Sequence, residues 1–228
     1  MKVVACIPIK MNNVRTPGKN TKPLGDGTPL IHLIQKTLLA SDKIDEIYVY
    51  CSNEDIRAFL LPGVKYLRRD PMFDTPQADM IKIMQSFSEQ VPADYYVQAH
   101  ATTPFLESQS IDKALTAVTE GAYDSAFAVK KMQDFLWKEN KPVNYQLEVI
   151  PRTQDMIPYY VETTGLYIFT REVIQDKNRR IGDRPYLLEV SEIESLDIDT
   201  PMEFDIVNAV YMRIMRRKCD ENLENQNS

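Results

Sequence analysis

Val3-Val4-Ala5-Cys6-Ile7-Pro8-Ile9, followed by Lys10-Met-Asn-Asn-Val-Arg15-Thr-Pro17-Gly18-Lys19-Asn20-Thr-Lys22-Pro23-Leu24, is the stretch on which the fold turns. Its first seven residues are apolar without alternation, the mark of a strand buried on both faces in a helix-covered parallel sheet. Residues 10–24 cannot continue that strand, because two prolines, a glycine and three asparagines forbid a regular element there. Outward from this point, further strands of the buried type read at Glu46–Ser52, Val64–Leu67 and Asp94–Gln98. Helical periodicity reads at Pro29–Ala40, Asn53–Leu60, Gln77–Glu89 and Ser108–Glu120. The order β-α-β-α-β-α-β-α predicts an α/β fold with a parallel sheet and a site beyond the C-terminal strand ends.

From about Asp124 the pattern changes. Asp124–Lys131 and Phe135–Trp137 read as strands, and Lys138–Tyr160 is polar, irregular and punctuated by prolines. Gly165–Phe169 reads as a buried strand with a short helix after it. Residues 131–162 are therefore expected to form an arm inserted in a single domain spanning 1–220. Ser195–Asp199 reads as a last strand-like segment, Thr200–Arg217 as an amphipathic helix, and residues 221–228 as a flexible tail.

With 228 residues and 43% hydrophobic content there is enough apolar material for a core. The net charge of −6 argues against a sequence-independent nucleic-acid binder, which would show a broad basic face. No apolar run approaches the ~18 residues of a membrane span. Cys6, Cys51 and Cys219 are scattered and odd in number, as in the reduced thiols of a cytoplasmic protein.

In this acidic chain the loop from Lys10 to Leu24 carries Lys10, Arg15, Lys19 and Lys22 and no acid. A cationic loop at a strand's C-terminal end suits a polyphosphate, with Arg binding oxygens bidentately and Lys supplying point charge. A solvated surface loop is the alternative. The loop is neither a Walker A motif nor a GxGxxG loop. Near the C-terminus, Asp197 and Asp199 are two apart on a strand-like segment, so both carboxylates should share one face. Such a pair of hard oxygen ligands suits Mg²⁺, though it would also complement a helix dipole. Thr200, Pro201 and Glu203 read as a capped helix start.

The loop order Ile7-Pro8-Ile9-Lys10, Asn13-Val14-Arg15, Pro17-Gly18-Lys19-Asn20 and Pro23-Leu24 resembles the N-terminal signature of the acylneuraminate and Kdo cytidylyltransferases. Further pieces recur in order along most of the chain. They are Val49-Tyr-Cys-Ser52, Leu67-Arg-Arg69, Thr102-Thr103-Pro104, Pro151-Arg152-Thr-Gln154-Asp155, Gly165-Leu-Tyr167 and Ser195-Leu-Asp197-Ile-Asp199-Thr200. The resemblance implies a Rossmann-like nucleotidyltransferase sheet of the GT-A-like type with a dimerisation arm, acting on CTP and a 2-keto sugar acid as a homodimer. It implies that Lys10, Arg15 and Lys19 hold the phosphates and serve catalysis, and that Asn20, Ser52 and Arg69 help place the nucleotide. Gln98, His100, Thr102, Thr103, Arg152 and Gln154 are the implied sugar contacts, and Asp197 and Asp199 the implied ligands of Mg²⁺ or Mn²⁺.

The chain departs from the family where Lys10 replaces the usual Arg. His100 stands where the sialic branch has Gln, and Thr102 where the Kdo branch has a metal-binding Asp. The missing acid favours a neuraminic, legionaminic or pseudaminic acceptor. His100 reads equally as a base or as a structural histidine, and Arg152 equally as a carboxylate ligand or an interface cation. A CMP-Kdo synthetase-like or other nucleotidyltransferase with a different acceptor, a glycosyltransferase with an Asp-x-Asp motif and a non-catalytic nucleotide-sugar-binding regulator are the rival readings.

Overall fold

A computed structural model describes residues 1–12, 16–75 and 77–226, apart from the side chains of 218 and 221–226. Arg15 and its neighbours Asn13 and Val14 lie outside the described residues. In chain order the elements are β1 (Val3–Pro8), α1 (Ile31–Leu39), β2 (Glu46–Cys51), β3 (Val64–Arg68), α2 (Met80–Gln90), β4 (Tyr95–Ala99) and α3 (Ser108–Thr119). They continue with β5 (Ser125–Met132), β6 (Trp137–Lys138), β7 (Lys141–Pro142), β8 (Tyr159–Thr170), α4 (Arg171–Gln175), β9 (Pro185–Glu189) and α5 (Pro201–Gln226).

One seven-stranded sheet has the order β3-β2-β1-β4-β8-β5-β9. Only β8 runs against its neighbours; the other pairings are parallel. The chain winds from β1 to β3 on one side and returns to place β4 on the other. The crevice between the carboxyl ends of β1 and β4 is thus the switch point at which open α/β sheets bind ligands.

Alternation along β1 sends side chains to both faces. Val3, Ala5 and Ile7 join a core with Ile34 and Leu38 of α1 and Leu115 of α3. Val4 and Cys6 join Phe87 of α2 and Val173 of α4 on the other face. That double burial explains the unbroken apolar run. Burial also pushes the Cys6 and Cys51 thiols up, as expected of inert core cysteines. A third cluster packs Phe204, Val207 and Tyr211 of α5 onto Leu24, Leu30 and Ile198. Each fully buried side chain of this size contributes roughly 1.5–3 kcal/mol, enough to hold the end of the basic loop against the segment before α5.

Six details differ from the sequence expectation. Asn53–Leu60 holds a 3₁₀ helix at Glu54–Phe59, because Asn53 caps it and Pro62-Gly63 ends the segment before an α-helix could offset its nucleation cost. Phe135–Trp137 yields only the two residues of β6 at its end, paired in a small hairpin with β7. β8 starts six residues earlier than Gly165, since Tyr159–Thr164 pair with β5 while remaining largely exposed. Ser195–Asp199 is irregular rather than a strand, and β9 has no counterpart in the sequence expectation. α5 continues through Gln226, so the backbone of 221–226 is helix rather than tail. Among the described residues no helix is long and apolar enough to cross a membrane.

Candidate active site

The basic loop leaves β1 at the switch point and turns back at Gly18, whose φ of 68° lies in the left-handed region glycine favours. The turn starts a short 3₁₀ segment, Lys19–Thr21, with Lys19 and Asn20 buried. Lys19 Nζ donates to the Ile198 carbonyl at 2.5 Å and lies 3.4 Å from Asp199 Oδ1. The Thr16 hydroxyl donates to the Asp199 carbonyl at 3.0 Å. Asn20 Nδ2 donates to the Lys10 carbonyl at 3.0 Å, closing the loop on its own base. Residues about 180 positions apart in the chain thus share one site.

The aspartate segment is not a strand, yet the alternation that matters survives. Ile198 is fully buried in the third cluster, with the more open Asp197 and Asp199 on either side of it. Thr164 of β8 donates its hydroxyl to Asp197 Oδ2 at 3.0 Å, and the Ile198 amide donates to Asp197 Oδ1 at 2.9 Å. Glu203 accepts the Asp199 and Thr200 amides at 2.8 and 2.7 Å, and the Thr200 hydroxyl accepts the Glu203 amide at 3.3 Å. That reciprocal capping box locks the aspartates to the first turn of α5.

The loop after β4 meets the same place. The Ile198 amide donates to the Thr102 carbonyl at 3.0 Å. Thr103 is buried against Gly165, where an added Cβ would come within 2.7 Å of the Thr103 hydroxyl. Thr103 therefore shapes the wall of the site. Gln98 Nε2 lies 2.7 Å from His100 Nε2. Gln98 is fully buried, and its Oε1 has no hydrogen-bond partner.

Burial holds the His100 pKa down to about 4, with the Arg180 guanidinium and Lys19 acting in the same direction and Asp197 opposing them. A histidine neutral at physiological pH with so low a pKa is a weak proton acceptor, which favours a hydrogen-bonding role over that of a base. Unfolding frees His100 toward its ordinary value of 6.5, so between pH 6.5 and about 4 the unfolded chain binds more protons than the folded one. The stability this neutral histidine supplies is complete above pH 6.5 and lost as pH falls through that window. Discounted for the partial opening of the site, the loss is about 2 kcal/mol. Denaturant unfolding at pH 7 and pH 4.5 is expected to show a steeper acid loss in the native protein than in His100→Gln.

A second group lies at the ends of β2 and β3. Asp74 accepts the Ser52 hydroxyl at 2.5 Å and the Arg69 guanidinium at 2.6 Å. Arg69 is buried, and its Nε has no partner. Among the described residues, Arg69 Nε and Gln98 Oε1 are the buried side-chain polar atoms left unsatisfied. Gln98 lies near the end of β4 and Arg69 directly after β3, both at this edge, where a ligand could complete them.

Of the residues singled out from sequence, Lys10, Lys19, Asn20, Gln98, His100, Thr102, Thr103, Asp197 and Asp199 come together, and Ser52 and Arg69 share the neighbouring group. Arg152 and Gln154 do not join them within this chain. They are exposed on the arm, where Arg152 Nε pairs with Asp155 Oδ2 at 2.7 Å. Sequence reasoning missed Thr16, Asp74, Thr164 and Arg180. The one available signal was for Asp74, four residues after an Asp70-Pro71 helix start.

A family model described as cytidylyltransferase matches residues 4–217. N-acylneuraminate cytidylyltransferase A of Danio rerio is 27% identical over 207 residues, which are 86% of this chain and 48% of that relative. The chain thus spans about half the length of that relative. CMP-N,N'-diacetyllegionaminic acid synthase of Legionella pneumophila is 28% identical over 221 residues, covering 90% of this chain and 94% of that one. The solved structure of CMP:2-keto-3-deoxy-manno-octonic acid synthetase complexed with CTP shares the fold with a TM-score of 0.71 at 17% identity, over 93% of this chain and 99% of that one.

Proposed function

Because the chain belongs to the cytidylyltransferase family, we propose that it transfers CMP from CTP to the anomeric hydroxyl of a nine-carbon 2-keto sugar acid. The observation that carries this reading is the junction of the basic loop with the aspartate segment, Lys19 against Ile198 and Asp199. A phosphate-holding cation and a carboxylate pair with hard oxygens are both needed where a triphosphate is cleaved between its α and β phosphorus. The anomeric hydroxyl attacks the α-phosphorus in line and gives up its proton to solvent, the bond to the bridging oxygen of the β-phosphate breaks, and pyrophosphate leaves with the negative charge. Lys10, Arg15 and Lys19 are assigned to that charge. Asn20 braces the loop, and Ser52 and Arg69, tied by Asp74, place the nucleoside part.

Asp197 and Asp199 fit a Mg²⁺ or Mn²⁺ ion. The Thr164 hydroxyl fixes the Asp197 carboxylate and the capping box fixes the Asp199 backbone, so the two carboxylates stand on either side of a buried residue and partly open to solvent. When bound, the ion supplies neutralisation of the α-phosphate charge.

The acceptor is assigned to the neuraminic, legionaminic or pseudaminic type, since two relatives bear names of that kind and Thr102 offers no carboxylate at the place of the Kdo branch's aspartate. Pyrophosphate release with CTP, Mg²⁺ and a panel of these acids beside Kdo tests the reading. A kcat/KM for Kdo tenfold above the rest, about 1.4 kcal/mol, would overturn the branch assignment and leave cytidylyl transfer intact.

The arm is assigned to a homodimer. Of the eighteen large apolar side chains left exposed among the described residues, ten lie between 135 and 161, including Ile157 at 86% and Ile150 at 69% exposure. An apolar concentration of this kind marks an interaction surface. It rises between the C-terminal end of β5 and the start of β8, the edge that carries the site, so docking two copies is the route by which Arg152 and Gln154 would reach sugar. Light scattering at micromolar concentration is expected to give twice the 26.3 kDa chain mass; a monomer there counts decisively against the arm's role.

A further inference from the structure

Arg180 stands on the loop between α4 and β9, in a stretch with no family motif. Its guanidinium carbon lies 3.9 Å above the centre of the Tyr167 ring. Tyr167 is the cross-strand partner of Gln98, the buried residue whose Oε1 is unsatisfied and whose amide contacts His100. Tyr167 in turn donates its hydroxyl to Glu162, and its ring stacks on Phe127. A cation is thus laid over an aromatic platform on the same sheet face as Gln98, directly beside the aspartate end of the site.

The carboxylate nearest Arg180 is Glu162, at 3.9 Å, which is ion-pair range but too long for a hydrogen bond. Glu162 is already occupied by Tyr167. Arg180 is three-quarters buried, with 24% of its side chain open. A guanidinium has five donors in a fixed fork matched to a carboxylate, and here no hydrogen bond to the described residues uses them. Its charge reaches His100 and is among the causes of that residue's lowered pKa.

The loop that carries Arg180 is pinned. Asp124 accepts the amides of Asp183 at 2.8 Å and Arg184 at 3.1 Å, and the Ser125 hydroxyl accepts that of Gly182 at 2.8 Å. Asp183 pairs with Lys177 at 2.8 Å and Arg179 at 2.6 Å, and these two cations hold its carboxyl down to about 2. Any side chain at Gly182 would collide with the Asp124 carboxylate. Such anchoring is the preorganisation a binding cation needs.

We infer that Arg180 grips the carboxylate of the acceptor sugar acid, lying over Tyr167 so that Gln98 and His100 meet the sugar's polar groups beneath it. This rests on the reading that the acceptor is a 2-keto sugar acid, and it goes further by assigning the acid group to a residue of the chain that holds the phosphate loop.

The test compares the best acceptor of the panel with its methyl ester, in the native protein, Arg180→Ala and Arg180→Lys. Native protein is expected to lose about 100-fold in kcat/KM on going from acid to ester, and Arg180→Ala to lose a similar factor on the acid. Arg180→Ala should then discriminate acid from ester by no more than about threefold, with the KM for CTP unchanged. Arg180→Lys, which keeps the charge and loses the fork, should fall between and guards against a folding defect of the alanine variant. Equal losses on acid and ester, or an acid KM within about twofold of native, overturn the assignment while transfer itself stands. No pyrophosphate release by the native protein with any acid overturns the transfer reading and this inference together.

Discussion

Asp199→Asn is expected to lower turnover by about 10²–10³-fold while leaving the apparent KM for CTP unchanged or reduced. The two effects have different origins in one side chain. The carboxylate supplies half of the oxygen pair assigned to the metal ion, and an amide oxygen is a weaker ligand that does not offset the ion's charge. It is also the counter-ion of Lys19, at 3.4 Å, with about half of its own side chain exposed. Removing that negative charge leaves Lys19 freer to attract a triphosphate. A ground-state gain for CTP beside a transition-state loss is therefore the expected signature, and it separates a metal ligand from a residue that merely braces the loop. The fold should survive, because the Thr16 and Lys19 bonds to this segment are made to backbone carbonyls that the substitution keeps. Steady-state kinetics over a range of Mg²⁺ concentrations, with a melting curve beside them, check the result. Near-native pyrophosphate release would remove Asp199 from the metal site.

Legibility of the fold in the sequence divides along a physical line. β1, β4 and most of β2 show in the sequence because strands covered by helices on both faces are apolar at nearly every position, whereas β3, an edge strand with Lys65 and Arg68 exposed, shows only through Val64, Tyr66 and Leu67. The basic loop shows because cations without acids are conspicuous in a chain of net charge −6. β9 is hidden because it is an edge strand, with Pro185 first and Leu187 exposed, so neither burial nor alternation marks it. Pro at the first position of an edge strand is the signal that could have found it. Tyr159–Thr164 is hidden for a related reason. Its ladder with β5 is stabilised by backbone hydrogen bonds while its side chains face outward.

The candidate site divides in the same way. Lys19 and Asp199 can be named from local patterns, but their meeting cannot, since 180 residues separate them. Asp74 and Arg180 sit in no motif that names a role. Each matters through a partner brought close by the sheet, Arg69 for one and Tyr167 for the other. The strand expected at Ser195–Asp199 is an error about backbone with a sound core. Alternation of Ile198 against the aspartates is real, but it is imposed by the packing of Ile198 under α5 and not by a ladder.

Lys19→Ala is expected to raise the apparent KM for CTP by at least about tenfold and to reduce kcat/KM by about 10³-fold, the largest effect predicted from the loop. Its ammonium is the cation that the structure holds against the aspartate end of the site, with only 11% of its side chain exposed. A charge in so sheltered a place is screened far less by salt than the more open cations around it. Part of the loss would be structural, since the variant also forfeits the bond to the Ile198 carbonyl, about 1–2 kcal/mol of stability. Lys19→Met separates the two contributions. It keeps most of the buried stem and removes the charge, so it should restore packing near Ile198 without restoring CTP binding. If the positive charge is what serves the triphosphate, the methionine variant melts closer to native than the alanine variant yet binds CTP equally poorly. Titration calorimetry with CTP decides it, because native-like affinity in Lys19→Met would confine Lys19 to bracing the loop and transfer the phosphate role to Lys10 and Arg15.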